Sequence, residues 1–288
     1  MTPPPPSRPD QRPLFLSEDI PKAPLSHCWQ SFKHPVLHRC RFEPETITWR
    51  AMAGYGSEGC VFKVRFGSEG PFAVKIFWHS VPHPTPGGKG PSWPLQDECK
   101  TVAVLETMRR AVADEPITIR HDPSTPAEAL RNVWAFSAEG RAYQKNKERK
   151  KREGNKREAS EGEMSMSSFP DIPKCHGWIK FKLGEIPWPY QTYQRCTDPV
   201  DLAIQERYAI VYDYVPSGEV DVETAQAQLD FFYRTGFAQM PYRESNWRQG
   251  RLVDFGDLLT VLDSSIFSQR CWRKVDAADL FGLACAPP

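Results

Sequence analysis

Residues 54–59 read Gly54-Tyr55-Gly56-Ser57-Glu58-Gly59 and sit between two segments rich in β-branched and aromatic residues, 46–52 and 59–66. Glycines at this density leave backbone N–H groups unobstructed, which is what a loop needs to approach a polyphosphate. The turn runs from strand to strand. That setting disfavours a dinucleotide fold, in which the glycines lead from strand into helix. No Gly-Lys-Ser/Thr follows, so it is not a P-loop. Val61 comes next, at a position suited to packing on a planar ring. After thirteen intervening residues, Lys75 stands in Phe72-Ala73-Val74-Lys75-Ile76-Phe77. A lysine inside an apolar strand is costly unless its ammonium is paired or faces a cleft. An edge-strand lysine that snorkels to solvent is the alternative.

The pattern around this feature is mixed α and β. Alternation predicts strands over 46–52, 59–66 and 72–78, with Gly67-Ser68-Glu69-Gly70 as a hairpin turn, giving an antiparallel meander. On 59–66 the alternation reads as Val61 and Val64 on one face and Phe62 and Phe66 on the other. Residues 79–94 are dense in proline and glycine and read as a loop. Helical spacing follows over 95–113 (Val102, Leu105, Met108, Val112) and again over 126–143 (Leu130, Val133, Trp134, Ala138). Two further strands fall at 177–183 and 208–214. An amphipathic helix runs over 222–238, and a short strand at 251–254 leads into Asp254-Phe255-Gly256. The 32 residues after Gly256 give room for one or two helices, at 258–267 and 277–284.

Composition narrows the function classes. With 288 residues, 40% hydrophobic and 12% aromatic, the chain can bury a proper core. The formal charge of +1 gives no global pull toward nucleic acid or membrane. The apolar runs are too short for a membrane span, and the start of the chain lacks the basic and apolar regions of a secretory signal. The 28 prolines and a mean hydropathy of −0.56 point to irregular sequence, most of all in residues 1–40, which read as a Pro-rich flexible tail. Eight scattered cysteines form no Cys-x-x-Cys pair and read as reduced thiols rather than a metal site. The tract Lys145 to Arg157 carries eight basic residues. It reads as a solvated, disordered insertion over 144–168, which is also where an import signal or phosphate-backbone patch would sit. Trp178, Trp188 and Trp247 read as packing residues rather than base-stacking platforms.

A buried Lys75 needs a carboxylate. Glu98 is the first choice on the 95–113 helix, with Glu106 and Glu139 as alternatives. Asp254, at the end of an apolar strand and two residues before a glycine, is placed to hold a divalent cation against phosphates.

Together these residues resemble the protein-kinase-like superfamily over roughly 45–262: the glycine loop, Lys75, Glu98, a hinge-like Tyr212-Asp213-Tyr214-Val215-Pro216, and Asp254-Phe255-Gly256. The runs Trp93-Pro94-Leu95-Gln96-Asp97-Glu98-Cys99, Ala129-Leu130-Arg131-Asn132, Lys174-Cys175-His176-Gly177-Trp178, Leu229-Asp230-Phe231-Phe232-Tyr233 and Asn246 to Asp254 look like the fungal family of Sim-four kinetochore complex subunits. The resemblance implies a two-lobed α+β fold, with an N-lobe at 41–220 and a truncated C-lobe at 221–288. It implies ATP held by Gly54, Gly56, Gly59, Val61, Ala73, Lys75, Glu98 and Tyr214, and Mg²⁺ held by Asn246 and Asp254. It also implies kinetochore proteins as partners and the nucleus as location.

The departures from the kinase pattern bear on activity. With Asn246 as the catalytic-loop asparagine, Pro241 falls where the aspartate base belongs, and residues 239–246 contain no aspartate. Glu244 is the only carboxylate nearby and is out of register. Loss of a general base removes roughly 10²–10⁴ in rate, whereas positioning and charge neutralisation carry most of the rest. The expectation is a degenerate, pseudokinase-like interaction module. An active phosphotransferase using Glu244 or Asp254, and a ligand-free relic, are the rival readings.

Overall fold

The computed structural model describes residues 13–21, 27–84, 91–153, 162–188, 206–263, 267 and 272–283. Its centre is a five-stranded antiparallel sheet built from β1 (Ile47–Tyr55), β2 (Gly59–Phe66), β3 (Glu69–Phe77), β4 (Cys175–Lys182) and β5 (Glu206–Asp213), in the order β4-β5-β3-β2-β1. Strand β3 is therefore interior, with Lys75 opposite Val61 on one side and Ile210 on the other.

Alternation puts two cores on the two faces of this sheet. Phe62, Val64, Phe66, Phe72, Val74, Ile76, Ile179, Phe181 and Val211 fill one, with Phe42 stacked on Phe66 across its end. Val64 thus joins Phe62 and Phe66 rather than Val61, because its spacing from Phe62 is two. The opposite face carries Phe77, Trp178, Ile210 and Tyr212 and packs on helix α1 (Pro94–Asp114). Proline at the first helical position starts α1 without losing a needed donor. Leu95, Cys99, Val102, Leu105, Met108 and Val112 form its buried stripe.

The 126–143 pattern is broken in two, α2 (Pro126–Ala135) and α3 (Ala138–Glu153). Thr125 caps α2, and Ser137 takes the Gly140 N–H where the chain re-enters helix. Helix α3 carries the basic tract as far as Glu153, and Glu163–Met166 pairs antiparallel with Ile117–Arg120. The insertion expected at 144–168 is thus ordered over most of its length, and 154–161 lies outside the described residues. The tract forms helix because lysine, arginine and glutamate are good helix formers whose charged heads need not leave water.

The N-terminal reading is also corrected. Within 13–40, Phe15, Leu16, Phe32 and Leu37 are buried in the same core as α1. Leu16–Ser17 pairs in parallel with Leu37–His38, and the Cys40 N–H bonds the Trp178 carbonyl along the outer edge of β4. The segment covers an exposed strand edge. Residues 1–12 and 22–26 lie outside the described residues. Between 79 and 94, His83–Pro84 and Pro91–Ser92 form a short strand pair, so the described part of that stretch is not all loop.

Beyond the sheet, helix α4 (Val222–Arg234) is capped by Asp221. Phe237–Gln239 pairs with Leu258–Thr260, and Trp247–Arg248 with Arg251–Leu252 in a tight hairpin. The expected helix at 258–267 begins as this strand, and that at 277–284 is one turn, Ala277–Leu280. Ala225, Leu229, Phe231, Trp247 and Leu252 belong to the same buried cluster as Leu95 and Val102, so no break in the core marks a boundary at 220/221. Among the described residues no helix is long and apolar enough to cross a membrane.

Phe32 is fully buried. Truncating it to alanine is expected to cost about 3–5 kcal/mol, read by urea denaturation. A loss under about 1 kcal/mol, within the range of ordinary surface changes, would return this segment to the status of a tail.

Candidate functional site

The glycine turn, the inner face of the sheet and residues 243–257 enclose a cavity of about 290 Å³. Gly54, Gly56, Gly59, Val61, Ala73, Lys75, Tyr214, Asn246 and Asp254 all line it. Glu98 lies directly behind Lys75 and is fully buried. Glu244 is exposed and is not among the lining residues, which include its neighbours Arg243 and Ser245. A substitute-base role for Glu244 therefore has no geometric basis. The short helical turn Glu244–Asn246 sends Asn246 inward and Glu244 out.

Lys75 Nζ is the focus. It donates to Glu98 Oε2 at 2.5 Å and to Asp254 Oδ1 at 2.8 Å, and it reaches Glu58 Oε2 at 3.5 Å. The strand presents the lysine, helix α1 presents Glu98, and the turn after the 247–252 hairpin presents Asp254, whose Oδ1 also accepts from the Gly256 N–H at 3.2 Å. Tyr212 Oη donates to the other Glu98 oxygen at 2.7 Å and stacks on Phe255. Of the alternatives to Glu98, Glu106 accepts from the Cys175 N–H and Glu139 from the Trp29 N–H. Both are structural anchors away from Lys75.

The electrostatics follow from burial. Burial raises the Glu98 carboxyl to about 7, against the opposing pull of Lys75. Burial alone would lower the Lys75 ammonium, but Glu98, Asp254 and Glu58 outweigh it and hold the charge in place. Burial would likewise raise Asp254, yet Lys75 keeps it below the usual aspartate value, so it makes a poor base. Burial raises Glu58 and Asp257, with Asp254 adding to both. Burial and Glu98 keep the Tyr212 phenol protonated.

Sequence reasoning missed two of these acids. Glu58 sits at an unassigned position inside the glycine motif, where residue type does not say which way a turn side chain points. Asp257 accepts from Asn246 Nδ2 at 2.8 Å, so the asparagine addresses Asp257 rather than Asp254. Carboxylate oxygens of Glu58, Glu98 and Asp254 lie within 4.8 Å of one another, close enough to hold a metal ion, but the Lys75 ammonium already serves as their cation.

The glycines differ in purpose. A Cβ on Gly59 would lie 2.1 Å from the Ile76 carbonyl oxygen, so that glycine is needed for strand contact. Added Cβ atoms at Gly54 and Gly56 would meet nothing within 4 Å. Their missing side chains leave open space in the cavity rather than making room for protein. The turn is held from behind by Trp78, whose indole N–H bonds the Gly56 carbonyl and whose backbone N–H bonds that of Glu58. Arg248 Nη2 ties the Ala53 carbonyl at 2.7 Å. A larger groove, about 690 Å³, runs between the N-terminal segment, α1 and residues 256–263, and none of the sequence-predicted site residues lines it.

No protein-family model matches the chain, and no curated protein matches it.

Replacing Lys75 with methionine leaves the carboxylates without their cation. The expected cost at pH 8 is about 3–5 kcal/mol. Carboxyls whose folded pKa lies above the unfolded value favour the folded state below the unfolded pKa, and that contribution is lost as pH rises through the folded one. With Glu98 already at about 7 beside Lys75, its folded pKa in the variant is higher still. The gap between wild type and Lys75→Met should therefore widen from pH 5 to pH 8 in urea titrations. A gap independent of pH would show that the cluster does not titrate as described.

Proposed function

We propose that this chain is a pseudokinase-like module, a protein-kinase-like domain that retains a nucleotide cleft and has lost the residue that would drive phosphoryl transfer. The observation that carries this reading is the convergence of Lys75, Glu98 and Asp254 beneath a glycine turn whose Gly54 and Gly56 leave space unfilled by protein. The strand order β4-β5-β3-β2-β1 with α1 packed on the inner face supports a two-lobed kinase-like arrangement. Val61 and Ala73 supply apolar walls for a base, and Tyr214 and Val215 lie at the rim where a hinge would run.

ATP would carry its triphosphate toward Lys75. The acids there make a divalent cation part of the ligand, because phosphates alone would meet Asp254, Asp257 and Glu58. Magnesium takes oxygen ligands, and Asp254 with Asp257 offers them beside Asn246. The proposed chemistry stops at binding, because every lining carboxylate is already engaged. Glu58 and Asp254 are held by Lys75, Asp257 by Asn246 and Asp213 by His176. The function left to such a domain is assembly with other proteins. The resemblance to Sim-four complex subunits makes the kinetochore, and hence the nucleus, the proposed setting.

Glu58 favours the second reading, a ligand-free relic, because it extends a carboxylate onto Lys75 from inside the turn. The cavity that remains argues for the first.

Thermal denaturation with ATP and Mg²⁺ tests the cleft. The wild type is expected to gain about 2–4 °C when ligand exceeds Kd by roughly tenfold. Lys75→Ala should gain nothing. Gly54→Val, which fills the open space without touching Lys75, should keep the wild-type melting temperature and also lose the gain. Absence of any shift in the wild type at millimolar ATP would remove the nucleotide from the proposal.

A further inference from the structure

We infer that Glu58 is a resident occupant of the anion position at Lys75, so that a phosphate group reaches the lysine only by displacing this carboxylate. The inference rests on the reading of the cavity as a polyphosphate pocket and specifies how its inner end is controlled.

Three contacts carry it. Glu58 reaches down from the glycine turn to bring Oε2 within 3.5 Å of Lys75 Nζ. The same oxygen lies against Gly256, where an added Cβ would be only 2.5 Å away. The carboxylate is thus seated between the lysine and the backbone just beyond Asp254, with no room for a side chain beneath it. From behind, Trp78 fixes the carbonyls of Gly56 and Glu58, so the turn's backbone is held while the side chain points inward.

Glu58 is also the dispensable partner. Lys75 has shorter bonds to Glu98 and Asp254, and Glu98 is held in turn by Tyr212. Burial raises the Glu58 carboxyl against the pull of Lys75, and repulsion from Asp254 and Asp257 adds to the rise. Its side chain keeps about a third of its surface in solvent, which gives it a route outward. Cavity size agrees: about 290 Å³ is at the lower edge of the roughly 300–1,000 Å³ of small-molecule sites. Withdrawing Glu58 opens the cavity at its Lys75 end.

The test is calorimetric titration of the full chain with pyrophosphate and Mg²⁺, comparing wild type, Glu58→Gln, and Glu58→Gln combined with Lys75→Met. Glu58→Gln is expected to bind pyrophosphate about tenfold more tightly than wild type, and the double variant should lose that gain. The ligand-free melting temperature of Glu58→Gln should equal or exceed that of wild type. Equal or weaker binding in Glu58→Gln, including no binding by either protein, overturns the inference. So does a fall of more than about 5 °C in its ligand-free melting temperature, which would mark Glu58 as a structural brace. ATP is titrated separately. If Glu58→Gln gains affinity for pyrophosphate while ATP binds no better than pyrophosphate in any variant, the occupant stands and the nucleotide reading falls.

Discussion

An ammonium on an interior strand is the condition the rest of this molecule is arranged to meet. Lys75 lies on β3 with strands on both sides, so its charge cannot escape past an edge. Left alone in that setting it would be costlier than any single apolar contact could offset. The solution draws on distant parts of the chain: Glu98 from a helix 23 residues on, and Asp254 from a turn 179 residues on. A buried ion cluster of this kind adds little net stability compared with well-packed apolar residues, but breaking it is expensive. Its role here is specification. It sets which turn of α1 faces the sheet, and it draws the 243–257 segment beneath the glycine turn, which creates the cavity.

Much of this was legible because it rests on residue types that are unusual where they occur. A lysine among Val74, Ile76 and Phe77 demands a partner, and Glu98 is the nearest helical glutamate to it in the chain, ahead of Glu106 two turns on and of Glu139. Glycines in a strand-to-strand turn mark the flap without any coordinates. Other features were hidden for identifiable reasons. Phe15, Leu16, Phe32 and Leu37 are too sparse among prolines to show a period, yet all four are buried in the same core as α1. Glu58 and Asp257 are acids in turns, where no face pattern assigns a direction. The helical end of the basic tract was obscured because its exposed face lacks the apolar stripe that usually announces a helix.

The proposed loss of catalysis and retention of a cleft are physically compatible, because they depend on different atoms. Holding a nucleotide needs a cation, apolar walls and an unobstructed backbone. Transferring a phosphoryl group needs in addition an unengaged base near the acceptor. The carboxylates around this cavity are committed to Lys75, Asn246 or His176, and of the two sequence candidates for a substitute, Asp254 is held by Lys75 and Glu244 is exposed. On that proposal the base could be lost while the lysine cluster, which the fold itself requires, is kept.

The hairpin 247–252 makes two attachments that together act as a strut. At one end Arg248 holds the carbonyl of Ala53, next to the flap. At the other the buried amide of Gln228, on α4, takes the Leu252 N–H and gives its own hydrogens to the carbonyls of Asp171 and Gly250. The height of the flap and the seating of α4 are thus linked through one short, stiff element. The weaker joint is the half-exposed one at Arg248, a single charged hydrogen bond worth on the order of 1.5–3 kcal/mol. A flap that lifts gives up that bond together with the two that Trp78 makes to Gly56 and Glu58, while the Gln228 end of the hairpin can stay seated on the helix.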